Sequence, residues 1–201
     1  MEALCWIDIE TTGLDPKSDK FLEIYVRLTD FNFTTMLDFQ AWVNNPHDYV
    51  DKMDDVVIQM HETSGLFDVT RNVKHSDFYC NKPGNQLDID FSAILDHVAN
   101  MYDVTKFYPA GSSVHFDIDF LKALGLPLTM SKLSHRHFDV TTLKLFMQVQ
   151  TGEFPEFPAV EPKHRAFSDI QSSIDAAKII CLPMVDNSLR AAHLAKIIDG
   201  Q

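Results

Sequence analysis

The sequence opens on a short apolar run, ALCWIDI at residues 3–9, which carries a carboxylate at Asp8 and is followed by another at Glu10. Such a run predicts a buried β-strand, in which residues two apart point to the same face. Burying two unpaired carboxylates together costs several kcal/mol through repulsion and desolvation, so the strand calls for a divalent cation. Taken alone, the pair also fits a strand end at which one carboxylate faces solvent.

The segments that follow predict a mixed sheet. FLEIYVRLTDF at 21–31 alternates apolar with polar residues, and a strand at about 35–43 completes a three-stranded antiparallel meander. Further segments follow as helices at 52–66 (closed by Gly65) and 86–102, a strand at 106–113, helices at 116–125, 141–149 and 166–182, and a proline-rich surface loop at 151–162. We therefore expect an α/β fold, with the meander joined to parallel strands and flanked by helices, as one domain over residues 1–201.

The formal charge of −12 argues against capture of long duplex DNA, because non-specific affinity comes mainly from Lys and Arg on phosphates. Bound cations can supply positive charge locally, which favours short substrates. No segment approaches the ~18 apolar residues of a membrane helix, and residues 1–10 do not resemble a secretory signal. Cys5, Cys80 and Cys181 form no paired pattern. We expect a cytoplasmic protein without a membrane partner.

A third acidic position lies in GSSVHFDIDFL at 111–121, where Asp117 follows a predicted strand and opens a helix. Carboxyl ends of strands are where α/β proteins place active-site groups. Asp117 precedes Phe120 and Leu121 by three and four residues and shares their inward face, whereas its rival Asp119 lies further around the helix. The alternative for either residue is an ordinary acidic group at a helix N-terminus.

The last candidates lie in HRAFSDIQSSI at 164–174, with His164 just before a helix and Asp169 within it. A lone His in this position is more often a surface or capping residue than a base. Four carboxylates from separate segments plus one His are, however, the groups that two-metal phosphodiester hydrolysis requires. His164 would then take the proton from the attacking water.

These three segments, DIETTGLDP at 8–16, GSSVHFDIDFL and HRAFSDIQSSI, resemble the motifs of the DEDD 3′–5′ exonucleases with a catalytic His, which have the ribonuclease-H-like fold. Within that superfamily the chain is most similar to oligoribonuclease, because MDDVVIQMHETSGL at 53–66 and HRHFDVTTLK at 135–144 also match. The resemblance implies that Asp8, Glu10, Asp117 and Asp169 bind two Mg²⁺ or Mn²⁺ ions and that His164 is the general base. It also implies a homodimer.

The resemblance further implies a set of substrate contacts. Leu14 would wedge against a base, His61 would line the substrate pocket, and the terminal phosphate would be bound by Ser113, Arg136, Thr141 and Thr142. Arg suits that task through its bidentate fork, although Arg136 also fits an ordinary surface ion pair.

Two positions depart from the oligoribonuclease pattern. Val56 replaces a Trp, and His135 replaces a Tyr that is lent to the neighbouring protomer's site. Stacking a base on an aromatic ring contributes ~1 to 3 kcal/mol, so the preferred substrate length is left open.

The sequence thus predicts removal of 3′-terminal nucleotides from short single-stranded RNA, or short single-stranded DNA, to give nucleoside 5′-monophosphates. One alternative is a proofreading-type 3′–5′ DNA exonuclease, which shares every catalytic residue. Another is a non-catalytic nucleic-acid-binding adaptor, which we would expect to have lost a metal ligand.

Overall fold

A five-stranded mixed sheet forms the centre of the structure, a computed structural model that describes residues 1–82, 84–157 and 164–181. The order across the sheet is β3-β2-β1-β4-β5. β1 pairs antiparallel with β2 and β2 with β3, whereas β1 pairs parallel with β4 and β4 with β5. The predicted meander joined to parallel strands is confirmed. The strands are β1 (Glu2–Thr11), β2 (Phe21–Thr29), β3 (Thr35–Trp42), β4 (Lys106–Gly111) and β5 (Phe138–Asp139).

Helices flank this sheet. They are α1 (Asp55–Thr63), α2 (Leu66–Thr70), α3 (Gln86–Tyr102), α4 (His115–Leu124), α5 (Pro127–Lys132), α6 (Val140–Thr151) and α7, which covers residues 166–181. Short 3₁₀ turns occur at Pro46–Asp48, Val50–Lys52, His75–Asp77 and Tyr79–Asn81. Among the described residues, no helix is long and apolar enough to cross a membrane.

The predicted helix at 86–102 is confirmed at both ends, but the prediction of one helix over 52–66 is wrong. That helix ends at Thr63, and Gly65 begins α2 with a φ of 75°. The left-handed backbone of a glycine ends one helix and allows the chain to start another. Residues 158–162 of the predicted loop and residue 182 of the last helix lie outside the described part of the chain.

The two faces of β1 pack against different helices. Ala3, Cys5, Ile7 and Ile9 contribute to a core with α3 and α4, in which Phe91, Leu95, Ile118 and Leu121 are buried. Leu4 and Trp6 contribute to a second core with Ile170 and Ile174 of α7. Each large side chain buried in this way stabilises the fold by roughly 1.5–3 kcal/mol. Asp8 and Glu10 follow Leu4 and Trp6 in the same alternation, so they belong to the face that α7 covers.

A glycine shapes the start of α4. A Cβ added to Gly111, the last residue of β4, would lie 2.9 Å from the carbonyl oxygen of Ile7. Only glycine allows this close approach of β4 to β1. The chain then turns through Ser113, whose φ is 56°, into α4. This turn places Asp117 in the first turn of α4, beside the end of β1.

Candidate active site

Three carboxylates meet at the end of β1. One oxygen each of Asp8, Glu10 and Asp169 lies within 4.8 Å of the other two. β1 supplies the first two residues and α7 supplies the third. Glu10 is buried, whereas Asp8 and Asp169 are half-buried and open to a ligand. Carboxylate oxygens this close together can share a hard divalent cation.

Asp117 adds a fourth carboxylate to this group. Its side chain is buried, and Oδ1 accepts a hydrogen bond from the main-chain N–H of Ile9 at 3.1 Å. Its charge acts on both Asp8 and Glu10. Asp119 instead forms an exposed ion pair with Lys122 at 2.9 Å. The helical spacing therefore predicted correctly which of the two carboxylates points inward.

The site holds more negative charge than its protein surroundings balance. Burial raises the pKa of Asp8, and the charges of Asp117, Glu10, Asp169 and Glu23 raise it further. Burial also raises the pKa of Glu10 most, followed by Glu23 and Asp169, while Arg165 lowers it. The pKa of Asp117 is raised by burial in spite of its backbone hydrogen bonds. A cation in this group would relieve each of these effects.

One histidine, His61, lies beside the carboxylates, and a second, His164, lies near His61. His164 is exposed, is separated from α7 by Arg165 alone and has a φ of 57°. His61 is fully buried, with Nε2 2.8 Å from the carbonyl oxygen of Thr11 and Nδ1 3.8 Å from Oε2 of Glu10. Burial lowers the pKa of His61, and the charge of His164 acts in the same direction. His164 is thus close enough to His61 for their charges to interact.

The placement of His61 corrects its predicted role. We expected this residue to line the substrate pocket, but its ring has no exposed surface. The ring lies between β1 and the α1–α2 segment, where its centroid is 5.9 Å from that of Phe67. The ring instead packs against the end of β1, where Nε2 contacts Thr11 and Nδ1 lies near Glu10.

Among the predicted substrate contacts, Leu14 and Thr142 are exposed, and Ser113 and Thr141 are half-buried. Leu14 is 82% exposed at the tip of the loop after β1, which is closed by a bond of 2.9 Å from the N–H of Thr12 to the carbonyl of Lys20. Ser113 Oγ and Thr141 Oγ1 are 3.1 Å apart. The neighbouring Thr142 is exposed, and its N–H donates to Asp139.

Arg136 is the fourth residue expected at the terminal phosphate, and it is exposed. Within the described part of the chain, its guanidinium forms no hydrogen bond with Ser113, Thr141 or Thr142. It lines a mostly apolar cavity of about 440 Å³ together with Phe31, Phe33, Tyr108 and Phe138. Val56 is 78% exposed on α1, and His135 is exposed before β5.

The sequence reasoning missed a buried ion pair at the edge of the site. Glu23 lies opposite Glu10 on β2 and is 1% exposed. Arg165 binds it with both a 2.9 Å and a 3.1 Å contact. Two signals were available: Glu23 interrupts the apolar run FLEIYV, and Arg165 directly follows His164. Neither reveals the pairing, because the partners are 142 residues apart.

No protein-family model matches the chain. It is nevertheless similar to curated oligoribonucleases over most of its length. The protein from Chromobacterium violaceum is 30% identical over 173 residues, which cover 86% of this chain and 90% of the relative. The protein from Halorhodospira halophila is 31% identical, covering 85% and 88%. The mitochondrial oligoribonuclease of Bos taurus is 31% identical over 175 residues, covering 86% and 69%.

Solved structures show the fold. The zinc-bound complex of E. coli exonuclease I with single-stranded DNA matches 95% of this chain with a TM-score of 0.59 and 15% identity. Exonuclease I from Methylocaldum szegediense matches 90% with a TM-score of 0.55 and 14% identity. The chain spans 43% and 40% of those two proteins. At 14% and 15% identity, the similarity to these structures shows the fold alone. That fold is ribonuclease-H-like, as the sequence predicted.

Proposed function

We propose that this chain, which belongs to the oligoribonuclease family, removes nucleotides from the 3′ end of short single-stranded RNA and releases nucleoside 5′-monophosphates. Family membership follows from relatives at 30% and 31% identity that the chain matches over most of their length. One observation carries the activity: oxygens of Asp8, Glu10 and Asp169 lie within 4.8 Å of one another. Asp117 is fixed beside them through Ile9. This is the donor set that metal-assisted phosphodiester hydrolysis requires.

The residues fit a pair of hard divalent cations. All four donors are carboxylates, the ligand type that suits Mg²⁺ and Mn²⁺. The raised pKa values of Asp8, Glu10 and Asp117 come from burial and mutual repulsion, which cations at this position would offset. Asp8, Glu10, Asp117 and Asp169 would hold the ions. When bound, such ions stabilise the charge on the attacking and leaving oxygens.

The remaining roles fall to the chain's own side chains. His164 would accept the proton of the attacking water, and its exposure just ahead of α7, the helix that carries Asp169, supports this role. Leu14 would pack against a base, which its 82% exposure permits. Ser113, Thr141 and Thr142 would hold the terminal phosphate through hydroxyl groups. Arg136, which is exposed and also lines the apolar cavity, would add its guanidinium to them.

The proposal extends to the chain as a whole. Residues 1–201 would form one exonuclease domain, and the family resemblance implies a homodimer. The three cysteines are free, which supports a reducing compartment such as the cytoplasm.

The decisive experiment compares substrates of different length and sugar. The purified protein is given a 5′-labelled RNA dinucleotide and RNA and DNA strands of about 20 nucleotides, each with Mg²⁺, with Mn²⁺ and with a chelator. We expect stepwise shortening from the 3′ end, fastest on short RNA and lost with the chelator. Preference for the long DNA strand would favour a proofreading-type exonuclease instead. Binding without cleavage of any strand would favour a non-catalytic adaptor.

A further inference from the structure

The buried ion pair between Arg165 and Glu23 connects two parts of the site. Nε of Arg165 is 3.1 Å from Oε2 of Glu23, and Nη2 is 2.9 Å from Oε1. The two side chains are 9% and 1% exposed. Gln40 of β3 donates a further hydrogen bond of 2.7 Å to Oε1 of Glu23. This bidentate geometry is specific to the guanidinium group and fixes the position of Arg165 relative to β2 and β3.

Glu23 is paired directly with Glu10 across β1 and β2. Residues opposite each other in an antiparallel pair lie on the same face, so two buried carboxylates are neighbours there. Glu23 raises the pKa of Glu10, and Arg165 lowers it. Arg165 is therefore the cation that balances this pair of carboxylates in the described structure.

The main chain of Arg165 connects the ion pair with Glu23 to the start of α7. Its carbonyl oxygen accepts hydrogen bonds from the N–H of Ser168 at 2.8 Å and from the N–H of Asp169 at 3.1 Å. On its other side lies His164, whose φ of 57° is unfavourable for a residue with a side chain. Such a backbone persists only where the surrounding structure holds it. Arg165 is the bonded neighbour of His164 and the start of the helix that carries Asp169.

We propose that Arg165 is a positioning residue. Its two hydrogen bonds to Glu23 hold His164 and Asp169 in position relative to Glu10. This inference rests on the proposed function, in which those three residues act together. Arg165 contacts Glu23, which also accepts a hydrogen bond from Gln40, and it acts on the reaction through its neighbours along the chain. Loss of the bidentate contact between Arg165 and Glu23 should then slow the chemical step more than it weakens substrate binding.

Arg27 provides a matched control. It lies on β2, as Glu23 does, and it contacts α7 through a hydrogen bond of 2.5 Å from Nη1 to Oε1 of Gln171. It is paired with Asp38 at 2.7 Å and 2.9 Å. Arg27→Gln therefore removes a cation and a tether between the same two elements, without disturbing Glu23.

The experiment compares wild type with Arg165→Gln, Arg165→Lys, Glu23→Gln and Arg27→Gln. We expect Arg165→Gln to lower kcat by about 100-fold with KM changed by less than about 3-fold, the effect of a small misplacement of reacting groups. Arg165→Lys should recover only part of the loss, because Lys retains the charge but not the fork. Arg27→Gln should retain the wild-type kcat.

A second readout is independent of activity. The imidazole Cε1–H resonance of His164, assigned with a His164→Asn variant, is recorded in metal-free protein without substrate. It should shift or broaden in Arg165→Gln and Glu23→Gln and stay in place in Arg27→Gln. If Arg165→Gln does not fold, Glu23→Gln provides the test, because its amide oxygen still accepts one hydrogen bond from Arg165.

The outcomes separate the two proposals. A wild-type protein that hydrolyses no oligonucleotide refutes the proposed function, while the His164 resonance still tests the positioning role. Wild-type kcat and an unmoved His164 resonance in both Arg165→Gln and Glu23→Gln overturn the positioning role alone. Equal losses of kcat in Arg165→Gln and Arg27→Gln would also overturn it, since they would reflect general loosening of α7.

Discussion

The main-chain N–H of Ile9, which lies between Asp8 and Glu10, donates a hydrogen bond of 3.1 Å to Oδ1 of Asp117. This bond joins the acidic strand β1 to the first turn of α4. Two of the segments that carry the site are thereby fixed to each other by a bond from main chain to side chain, while α7 supplies Asp169. The position of Asp117 is thus built into the fold and does not depend on a flexible loop.

Substitution of Asp117 tests the acidic cluster. Asp117→Asn should lower hydrolysis by at least about 100-fold, since even groups that only support metal ligands typically matter by 10- to 100-fold. The fold should persist, because an asparagine oxygen can still accept the hydrogen bond from Ile9. Asp119→Asn, which removes an exposed partner of Lys122, is the matched control and should retain most activity. Rates and circular dichroism spectra of both variants are compared, and full activity in Asp117→Asn would refute its assignment.

Acid should stabilise the metal-free protein as the pH falls from neutral towards about 4, the pKa of a carboxyl group in the unfolded chain. The pKa values of Asp8, Glu10 and Asp117 are raised, so these groups bind protons more tightly in the folded chain than in the unfolded one. Their contribution to stability is fully present below the unfolded pKa of about 4 and is lost as pH rises through the raised values. The free energy of unfolding, measured by urea titration in the presence of a chelator, should therefore increase on acidification.

His61 acts in the opposite direction, because its lowered pKa means that protonation opposes folding. Wild type is therefore compared with an Asp8→Asn, Glu10→Gln double variant that retains His61. The wild type should gain more stability on acidification than the double variant does. Equal pH dependence in the two proteins would show that the acidic cluster carries no such strain.

Divalent cations should stabilise the folded chain at neutral pH. A ligand at about 100 times its Kd adds about 2.7 kcal/mol, which for a chain of this size raises Tm by about 5 to 10 °C. We expect this shift with Mn²⁺ in calorimetric scans of the wild type. The Asp8→Asn, Glu10→Gln double variant should show little of it, and an equal shift in both proteins would place the ion elsewhere.

An aromatic residue at position 56 should narrow substrate choice. Val56 is 78% exposed, and it occupies the position at which the oligoribonuclease pattern has a Trp. Stacking one base on an aromatic ring contributes ~1 to 3 kcal/mol. Val56→Trp should raise kcat/KM for a dinucleotide relative to longer RNA by about 10-fold. Val149→Trp, at an 80% exposed position on α6, adds the same ring elsewhere and should leave the ratio unchanged. The idea fails if both variants change the ratio alike.

Substitution of the buried His61 should lower both the free energy of unfolding and the rate of hydrolysis. His61→Phe keeps a ring but removes the Nε2 contact with Thr11, which should cost about 1–3 kcal/mol of unfolding free energy. His47→Phe removes a comparable bond to the carbonyl of Phe67 away from the carboxylates. Hydrolysis should fall only in His61→Phe, because that ring supports Glu10. Unchanged kinetics in a destabilised His61→Phe would limit the residue to a packing role.

Local periodicity accounts for what the sequence predicted well. Residues two apart in a strand share a face, which correctly grouped Asp8 with Glu10, and helical spacing correctly chose Asp117 over Asp119. The long helix α3 was found because its apolar spacing extends over 17 residues.

Elements that depend on distant partners were not predictable in this way. α5 covers six residues, and its first N–H groups donate to Asp88, 40 and 41 residues away. β5 has two residues and exists only through pairing with β4. The pair of Glu23 and Arg165 is likewise a tertiary contact, and the burial of His61 follows from how α1 packs on β1. Short elements and long-range pairs carry no period that a sequence pattern could reveal.

Anomalous diffraction from crystals grown with Mn²⁺ tests the central claim most directly. The account predicts peaks within about 2.0–2.3 Å of carboxylate oxygens of Asp8, Glu10, Asp117 and Asp169, and none at these residues in Asp8→Asn, Glu10→Gln crystals. Wild-type crystals with no manganese between these four side chains, at a concentration that supports hydrolysis, would contradict it.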